Sequence, residues 1–184
     1  MDEQKLDLLR HISSSHHVVV EYGIESVYNK TLERVNRCHT WEETVAAIQL
    51  TAAAGILVGG HLIFGLPGES REEMLQSAVV LSALPLHALK FHQLQVFRGT
   101  AMENEFQQHP SAFEVFTEDD YLNFMGEFIQ YLNPAIVIER IAGETPPRYA
   151  VSKPWGPRYD QLLVKFEKLL AERNVWQGKL WKRS

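Results

Sequence analysis

The sequence predicts an α/β fold built from parallel β/α units. Short runs rich in β-branched residues alternate with segments whose apolar residues recur at helical spacing. The four runs are VVVEYGI (18–24), ILVGGHLIF (56–64), LKFHQLQVF (89–97) and AIVIERI (135–141). This alternation favours parallel strands joined by right-handed crossovers. It fits either an open doubly wound sheet or part of a barrel.

Length and composition limit the class of protein. The chain has 184 residues, 45% of them hydrophobic, which suits a domain with a sizeable core. Its net charge of −5 argues against a protein that coats nucleic acid, since such proteins usually carry a basic surface. No stretch approaches the ~20 apolar residues of a membrane helix, and the charged segment 1–12 is unlike a signal peptide. We therefore expect a cytoplasmic protein.

Each helix carries its own local signal. The charged segment MDEQKLDLLRHI reads as a first helix, ahead of the first strand. Thr40 with Glu43, and Ser70 with Glu73, form capping boxes that start two further helices. Apolar residues at helical spacing indicate the last two helices, with Tyr121, Met125, Phe128 and Leu132 in one and Leu162, Leu163, Phe166, Leu169 and Leu170 in the other. The predicted order alternates helix and strand throughout.

Polar residues inside the strands favour the barrel. Strands covered by helices on both faces read as nearly continuous apolar runs. Here His61 lies on the face of Ile63, and Lys90 and His92 share one face of the next strand. Polar side chains near the carboxyl ends of successive strands suit a barrel mouth that holds a ligand. The alternative, for each residue alone, is a hydrogen-bonded residue of the core or rim.

The segment GLPGES (65–70) links the second strand to the following helix. It lacks the lysine of a phosphate-binding P-loop, and no GxGxxG motif is present. Gly65 and Gly68 let the backbone approach a flat or anionic group, while Ser70 opens a helix with free N–H groups. A tight connection without a ligand is the alternative.

Several segments in register resemble the radical S-adenosylmethionine (radical SAM) superfamily. They are EYGIES, NKTLERVNRCHT, AAGILVGGHLIFGLPGESREEM, KFHQLQVFRGTAM, IERIAGETPPRYAV and FEKLLAERNVWQGK. The resemblance is closest to an uncharacterised bacterial iron-sulfur subgroup. It is more distant to the oxygen-independent coproporphyrinogen oxidases and to the elongator-type tRNA-modifying enzymes.

The resemblance implies a TIM-like radical SAM barrel that lacks its N-terminal strands. Residues 1–150 would form the C-terminal half of the barrel, and residues 151–184 a helical extension packed on it. A full barrel takes about 250 residues, so we expect the C-terminal portion of a longer protein, as an expressed fragment or from a mis-called gene start. Its first strand would expose an unpaired edge, through which the chain would self-associate.

The resemblance also implies where SAM binds. Glu25 holds the place of a polar side chain that contacts the amino acid part of SAM, and Arg37 matches an arginine that approaches its carboxylate. Two simpler interpretations remain open. Arg37 would pair with Glu33 on one helix face, or Glu25 would only cap the following helix.

The family's GxIxGxxE pattern packs the adenine of SAM. Ile63 and Gly65 fit it, whereas His61 replaces a small or acidic residue and Glu69 falls one place late. The sixth strand of the family ends near the adenine, which points to Val96 or Phe97 here. Deeper in the barrel, the resemblance places two candidate substrate contacts, Lys90 and His92.

Radical SAM chemistry needs a [4Fe-4S] cluster held by three cysteines, usually in a CxxxCxxC motif. The single cysteine, Cys38, cannot supply three thiolates, so we expect no metal or cluster site in this chain. The resemblance implies that the full-length protein uses SAM and the cluster to form a 5'-deoxyadenosyl radical that acts on an unknown substrate. The candidate substrates are a small molecule and a tRNA base. We expect the chain alone to be inactive.

Two other classes of protein remain open. One is a cluster-free α/β nucleotide- or phosphate-binding enzyme in which GLPGES is the anion loop. The other is a non-catalytic interaction module whose Trp155, Trp176 and Trp181 dock on a partner. Plain packing is the alternative for these tryptophans, because they flank the last helix.

Overall fold

The computed structural model describes residues 1–151 and 155–182. In order, the described elements are α1 (Glu3–Ser13), β1 (Val19–Glu25), α2 (Asn29–Arg34), α3 (Trp41–Ala53), β2 (Leu57–Phe64), α4 (Arg71–Ser82), β3 (Ala88–Gln93), α5 (Ala101–Gln108), a 3-10 turn (Pro110–Ala112), α6 (Glu118–Tyr131), β4 (Val137–Arg140) and α7 (Tyr159–Glu172). The four strands form one sheet in the order β1-β2-β3-β4, and every neighbouring pair is parallel. The predicted α/β class and parallel arrangement are confirmed.

Both predicted capping boxes are present. Before α3, the Thr40 hydroxyl accepts a hydrogen bond from the Glu43 amide at 3.2 Å, and the Glu43 carboxylate accepts one from the Thr40 amide at 2.7 Å. Ser70 and Glu73 make the same pair of bonds before α4, at 3.2 and 2.9 Å. These bonds satisfy amides that a helix start leaves without partners, which fixes where α3 and α4 begin.

The hydrophobic core lies on one face of the sheet, beneath α3, α4, α6 and α7. Phe64 of β2 and Phe91 of β3 stack with ring centroids 5.5 Å apart, and Phe128 of α6 meets them edge-on at 5.0 and 5.1 Å. Such pairs add to the stabilisation that burial of the rings already provides. Ile48, Met74 and Phe166 bring the other three helices into the same cluster. The opposite face of the sheet is polar, as the interior face of a partial barrel would be.

The third strand is shorter than the sequence predicts. It ends at Gln93 instead of Phe97 because the chain then leaves the sheet for a different partner. Phe97 forms an antiparallel bridge with Ala150, and the Val151 amide donates to the Val96 carbonyl at 2.8 Å. Alternating residue types do not reveal which segment a strand residue pairs with.

Two short helices also went unpredicted. Helix α5 spans only eight residues, and its two large apolar residues, Met102 and Phe106, are too few to establish a helical periodicity. Helix α2 spans only six residues. In the described part of the chain, no helix is long and apolar enough to cross a membrane.

Candidate functional site

The candidate site begins where β1 ends, at a strained turn. Glu25 has φ of +60°, which is uncommon for a residue other than glycine. The Ser26 amide donates to the Ile24 carbonyl at 2.7 Å, so the chain reverses within three residues as a γ-turn. The pairing register with β2 shifts between Gly23 and Glu25, as at a β-bulge. Strain of this kind clusters at functional sites, where the surrounding structure maintains it.

The turn directs Glu25 at Arg37. One guanidinium nitrogen of Arg37 lies 3.3 Å from a carboxylate oxygen of Glu25 and donates to the Gly23 carbonyl at 2.9 Å. The Glu25 side chain is only 17% exposed, against 38% for Arg37. A Cβ atom at residue 23 would lie 2.7 Å from the Glu25 carboxylate and 2.8 Å from the guanidinium, so a side chain there would displace the ends of the pair.

The structure therefore brings together two residues that the resemblance placed in one site. Neither simpler interpretation describes them. Arg37 pairs with Glu25 across the β1 exit instead of with Glu33. The N-cap position of α2 is Tyr28, and no side chain caps that helix.

The GLPGES turn follows β2, with Gly65 buried and Gly68 exposed. Gly65 and Gly68 both have positive φ, +93° and +87°. The Gly65 amide donates to the Met74 sulfur at 3.2 Å, and the Gly68 amide donates to the Ala112 carbonyl at 3.1 Å. Since both glycine amides already have partners within the chain, the turn is poorly suited to be an anion loop.

A polar layer covers the face of the sheet opposite the core. Glu21 accepts from Lys90 at 2.5 Å and lies 2.6 Å from the His61 ring nitrogen. Lys90 also lies 3.2 Å from Glu139 of β4, so the layer crosses all four strands. His92 stacks against His61 with ring centroids 5.9 Å apart. The half-buried Ile63 is on the same face of β2.

Charge neighbours set the protonation of this layer. Hydrogen bonds from Lys90 and His61 lower the pKa of Glu21, and the bond to Glu21 raises the pKa of Lys90. Burial, together with the nearby charges of His61, Arg140 and Lys90, lowers the pKa of His92 and favours its neutral form. Lys90 is therefore an ammonium that already pairs with two carboxylates. Within the described residues, His92 stacks on His61 without such an ion pair, so it is the better of the two candidate substrate contacts.

The remaining predicted residue, Val96, is buried, and Phe97 beside it is 45% exposed. Val96 lies after the end of β3, under the segment that follows β4. Near it, a cavity of about 760 Å³ opens at the strand ends, lined among others by Gln93, Gln95 and Trp155. Gln93 fixes the wall of this cavity through two bonds of 2.9 Å to the backbone of Gly143. Sequence reasoning missed this pairing, because its partners are 50 residues apart.

The chain does not provide the ligands of an iron-sulfur cluster. Cys38 is exposed and is the only cysteine in the sequence. Across residues 1–151 and 155–182, no group of three or more histidine, cysteine, aspartate or glutamate side chains is arranged to hold a metal ion. Three thiolates would have to come from outside this chain.

The structure is an α/β partial barrel with a carboxylate–guanidinium pair at the carboxyl end of β1. The chain belongs to the radical SAM superfamily. The model of that superfamily matches residues 1–80, and the model of the radical SAM C-terminal domain matches residues 86–168.

Individual relatives agree with this assignment. An uncharacterised protein of Methanocaldococcus jannaschii is 31% identical over 180 residues, which cover 97% of this chain and 55% of that protein. A tRNA uridine(34) acetyltransferase of Methanocaldococcus infernus is 24% identical over 150 residues, or 80% of this chain and 28% of the relative. The solved structure of archaeal Elp3 from M. infernus superposes on 96% of this chain and 40% of its own, with a TM-score of 0.78 at 21% identity, which shows a shared fold. The chain thus spans about half the length of the first of these relatives, or less of the others.

Proposed function

We propose that this chain is the SAM-binding part of the barrel of a radical SAM enzyme. The whole protein would cleave SAM reductively to a 5'-deoxyadenosyl radical that acts on a substrate still to be identified. The observation that carries the proposal is the Glu25–Arg37 pair at the end of β1. Its place at the carboxyl end of a strand is where parallel β/α folds bind their ligands.

The pair suits the amino acid end of SAM. That end carries an ammonium group and a carboxylate a few bonds apart, and it needs an anion and a cation at similar spacing. Glu25 offers a largely buried carboxylate for the ammonium, and Arg37 offers guanidinium donors for the carboxylate. Because the two side chains already neutralise each other, a zwitterion can replace that contact without leaving a charge unpaired.

The neighbouring strand offers a place for the adenine. Ile63 presents a half-buried apolar side chain on the inner face of β2 and is the proposed contact of this strand. Gly65, at its end, is buried, and its missing side chain leaves room for the Glu114 carbonyl, so Gly65 is proposed only as a support of this surface. Val96 is proposed as the opposing contact. His61 is held by Glu21 and stacked on His92, so we propose that it supports this surface from below.

When bound, the [4Fe-4S] cluster supplies the electron for cleavage of SAM. The residues of this chain do not fit that cluster, since Cys38 is its only cysteine. We propose that the cluster ligands lie in another part of the whole protein, and that the 184-residue chain alone is inactive.

The substrate is proposed only as a class. A relative is named a tRNA uridine(34) acetyltransferase, which makes a tRNA base one candidate. The net charge of −5 gives RNA binding no support, so a small molecule is the other. In either case His92, neutral and half-buried on the inner face, is the candidate contact.

The two other classes fit the structure less well. A phosphate-binding enzyme would need free amides in the GLPGES turn, and both glycine amides there are bonded within the chain. In an interaction module, the Trp155 side chain should be free to contact a partner. Its indole N–H instead donates to the Phe116 carbonyl at 3.3 Å, and its ring lies 5.1 Å from Tyr121. Trp176, 53% exposed, is the better candidate for docking.

Calorimetry separates the first alternative from the proposal. SAM should bind the chain, Arg37→Ala and Glu25→Ala should weaken binding roughly tenfold each, and adenosine monophosphate should bind more weakly than SAM. Arg10→Ala is the control, because Arg10 is an exposed arginine of α1 that pairs with Glu3 and Asp7. Tighter binding of the phosphate ligand would contradict the proposal.

The location of the cluster ligands has a separate test. The native transcript upstream of Met1 can be sequenced and translated in frame. A CxxxCxxC motif about a hundred or more residues upstream, a distance estimated from the size of a full barrel, is the expected result. A stop codon directly upstream would contradict the proposed radical chemistry.

A further inference from the structure

The residue after Glu25 is fixed by a contact that neither the motifs nor the comparisons assign. Ser26 is 3% exposed. Its hydroxyl donates to the Glu69 carboxylate and accepts from the Tyr28 amide at 3.0 Å. Ser26 therefore ties the exit of β1 to the turn between β2 and α4, across 43 residues of sequence.

A left-handed turn at a residue with a side chain needs such support. Positive φ at a residue like Glu25 is strained and persists only where the surroundings hold it. The single backbone bond that closes the turn, from the Ser26 amide to the Ile24 carbonyl, is weaker than that strain. The hydroxyl of the same residue supplies the additional restraint.

Glu69 is well placed to give that restraint. It directly precedes Ser70, which begins α4, so its backbone is fixed by the capping box. Burial raises the pKa of Glu69, and the Glu73 carboxylate adds to this rise. The Ser26 and Thr31 hydroxyls and the Lys30 ammonium act in the opposite direction. Tyr28 is the other titratable group that faces Glu69.

A half-buried carboxylate next to another acid is costly to keep, and an ordinary helix start does not require one. Glu69 follows the capping turn without capping α4 itself, because Ser70 has that role. Its carboxylate instead accepts from the Ser26 hydroxyl, which points to a role at the exit of β1.

We infer that Glu69 is a positioning residue for the ligand site. By holding the Ser26 hydroxyl, Glu69 keeps Glu25 in the left-handed turn that directs its carboxylate at Arg37. Glu69 touches neither member of the pair and acts through Ser26. The inference rests on the proposed function in one respect, namely that the pair receives the amino acid end of SAM.

Two ligands distinguish positioning from general packing. SAM carries the amino acid end, whereas 5'-methylthioadenosine has the same nucleoside without it. Glu69→Ala and Ser26→Ala should weaken SAM binding about tenfold and change 5'-methylthioadenosine binding less than twofold, both measured by calorimetry. Glu69→Gln should retain most of the SAM affinity, because its amide oxygen still accepts from Ser26.

The matched control is Glu72→Ala, an exposed acid in the first turn of α4, three residues from Glu69. It should change neither affinity. Glu25→Ala combined with Glu69→Ala should bind SAM no more weakly than Glu25→Ala alone, since the two residues act through one carboxylate. The inference would be overturned if Glu69→Ala lost equal affinity for both ligands, or if the losses of SAM affinity from Glu25→Ala and Glu69→Ala added up in the double variant.

A third readout needs no ligand. The Ser26 amide should exchange its hydrogen slowly in the wild type, in Glu69→Gln and in Glu72→Ala, and faster in folded Glu69→Ala, as measured by NMR. Unchanged protection in Glu69→Ala would overturn the positioning role. If the wild type bound neither ligand, the proposed function would fail for this chain, and the exchange result would still decide the inference.

Discussion

Replacing Glu25 by glycine should stabilise the chain relative to replacing it by alanine. At most positions the order is the reverse, since glycine loses more backbone freedom on folding. Glu25 has φ of +60°, where alanine keeps its Cβ in conflict with the backbone and glycine does not. Both variants lack the carboxylate, so the lost contact with Arg37 cancels in the comparison.

The magnitude follows from two opposing costs. Relief of the left-handed conformation favours glycine by about 1–2 kcal/mol. The greater freedom of glycine in the unfolded chain disfavours it by about 0.4–1 kcal/mol. At the midpoints of these ranges the net advantage of Glu25→Gly over Glu25→Ala is about 0.8 kcal/mol, which shifts Tm by roughly 2–3 °C in a domain of this size.

Urea unfolding followed by circular dichroism measures this difference. The same pair of substitutions at Glu72, in the first turn of α4, is the control. There alanine should be more stable by about 0.5–1 kcal/mol, because the position is helical. If alanine were the more stable residue at both positions, the strain assigned to the β1 exit would be refuted.

Three further predictions concern the turn, the buried acid and the sheet edge. Gly65→Ala should destabilise the chain by about 2–4 kcal/mol in urea unfolding, because residue 65 has a positive φ and its Cβ would lie 2.4 Å from the Glu114 carbonyl. A loss of stability under about 1 kcal/mol would refute this, since it would mean that the turn can move to make room. The stability that Glu69 contributes is present at acid pH and is lost as pH rises through its raised pKa. The free energy of unfolding of Glu69→Gln should therefore rise relative to that of the wild type from about pH 4.5 upward. A difference between the two that does not change with pH would contradict this. The unpaired edge of β1 should cause self-association at micromolar concentration, which Val19→Lys should reduce in size-exclusion chromatography with light scattering; a monomeric wild type would refute it.

Local signals in the sequence predicted most of the fold. Capping boxes and apolar periodicity depend on residues three or four apart, and both boxes appear where expected. The predicted end of β3 was wrong, because the strand ends where Phe97 pairs with Ala150, and these two residues are far apart in the sequence. Helix α5 was missed because its eight residues contain only two large apolar side chains, Met102 and Phe106.

The candidate site divides in the same way. The family resemblance implied that Glu25 and Arg37 lie in one site, and the structure shows them in contact. The left-handed turn at Glu25 and the bond between Ser26 and Glu69 had no signal in a single sequence. Lys90 was expected to face a substrate, and its two carboxylate partners became visible only once β1 and β4 were placed beside β3.

The central claim is that the carboxyl ends of β1 and β2 bind SAM. The most direct test is to titrate SAM into the isotopically labelled chain and map the amide shifts by NMR. The account predicts saturable shifts around Glu25, Arg37 and Gly65, with the shifts at residues 23–26 absent when 5'-methylthioadenosine replaces SAM. Shifts confined to the cavity near Gln93 and Trp155, or no saturable shifts in the folded chain, would contradict the account.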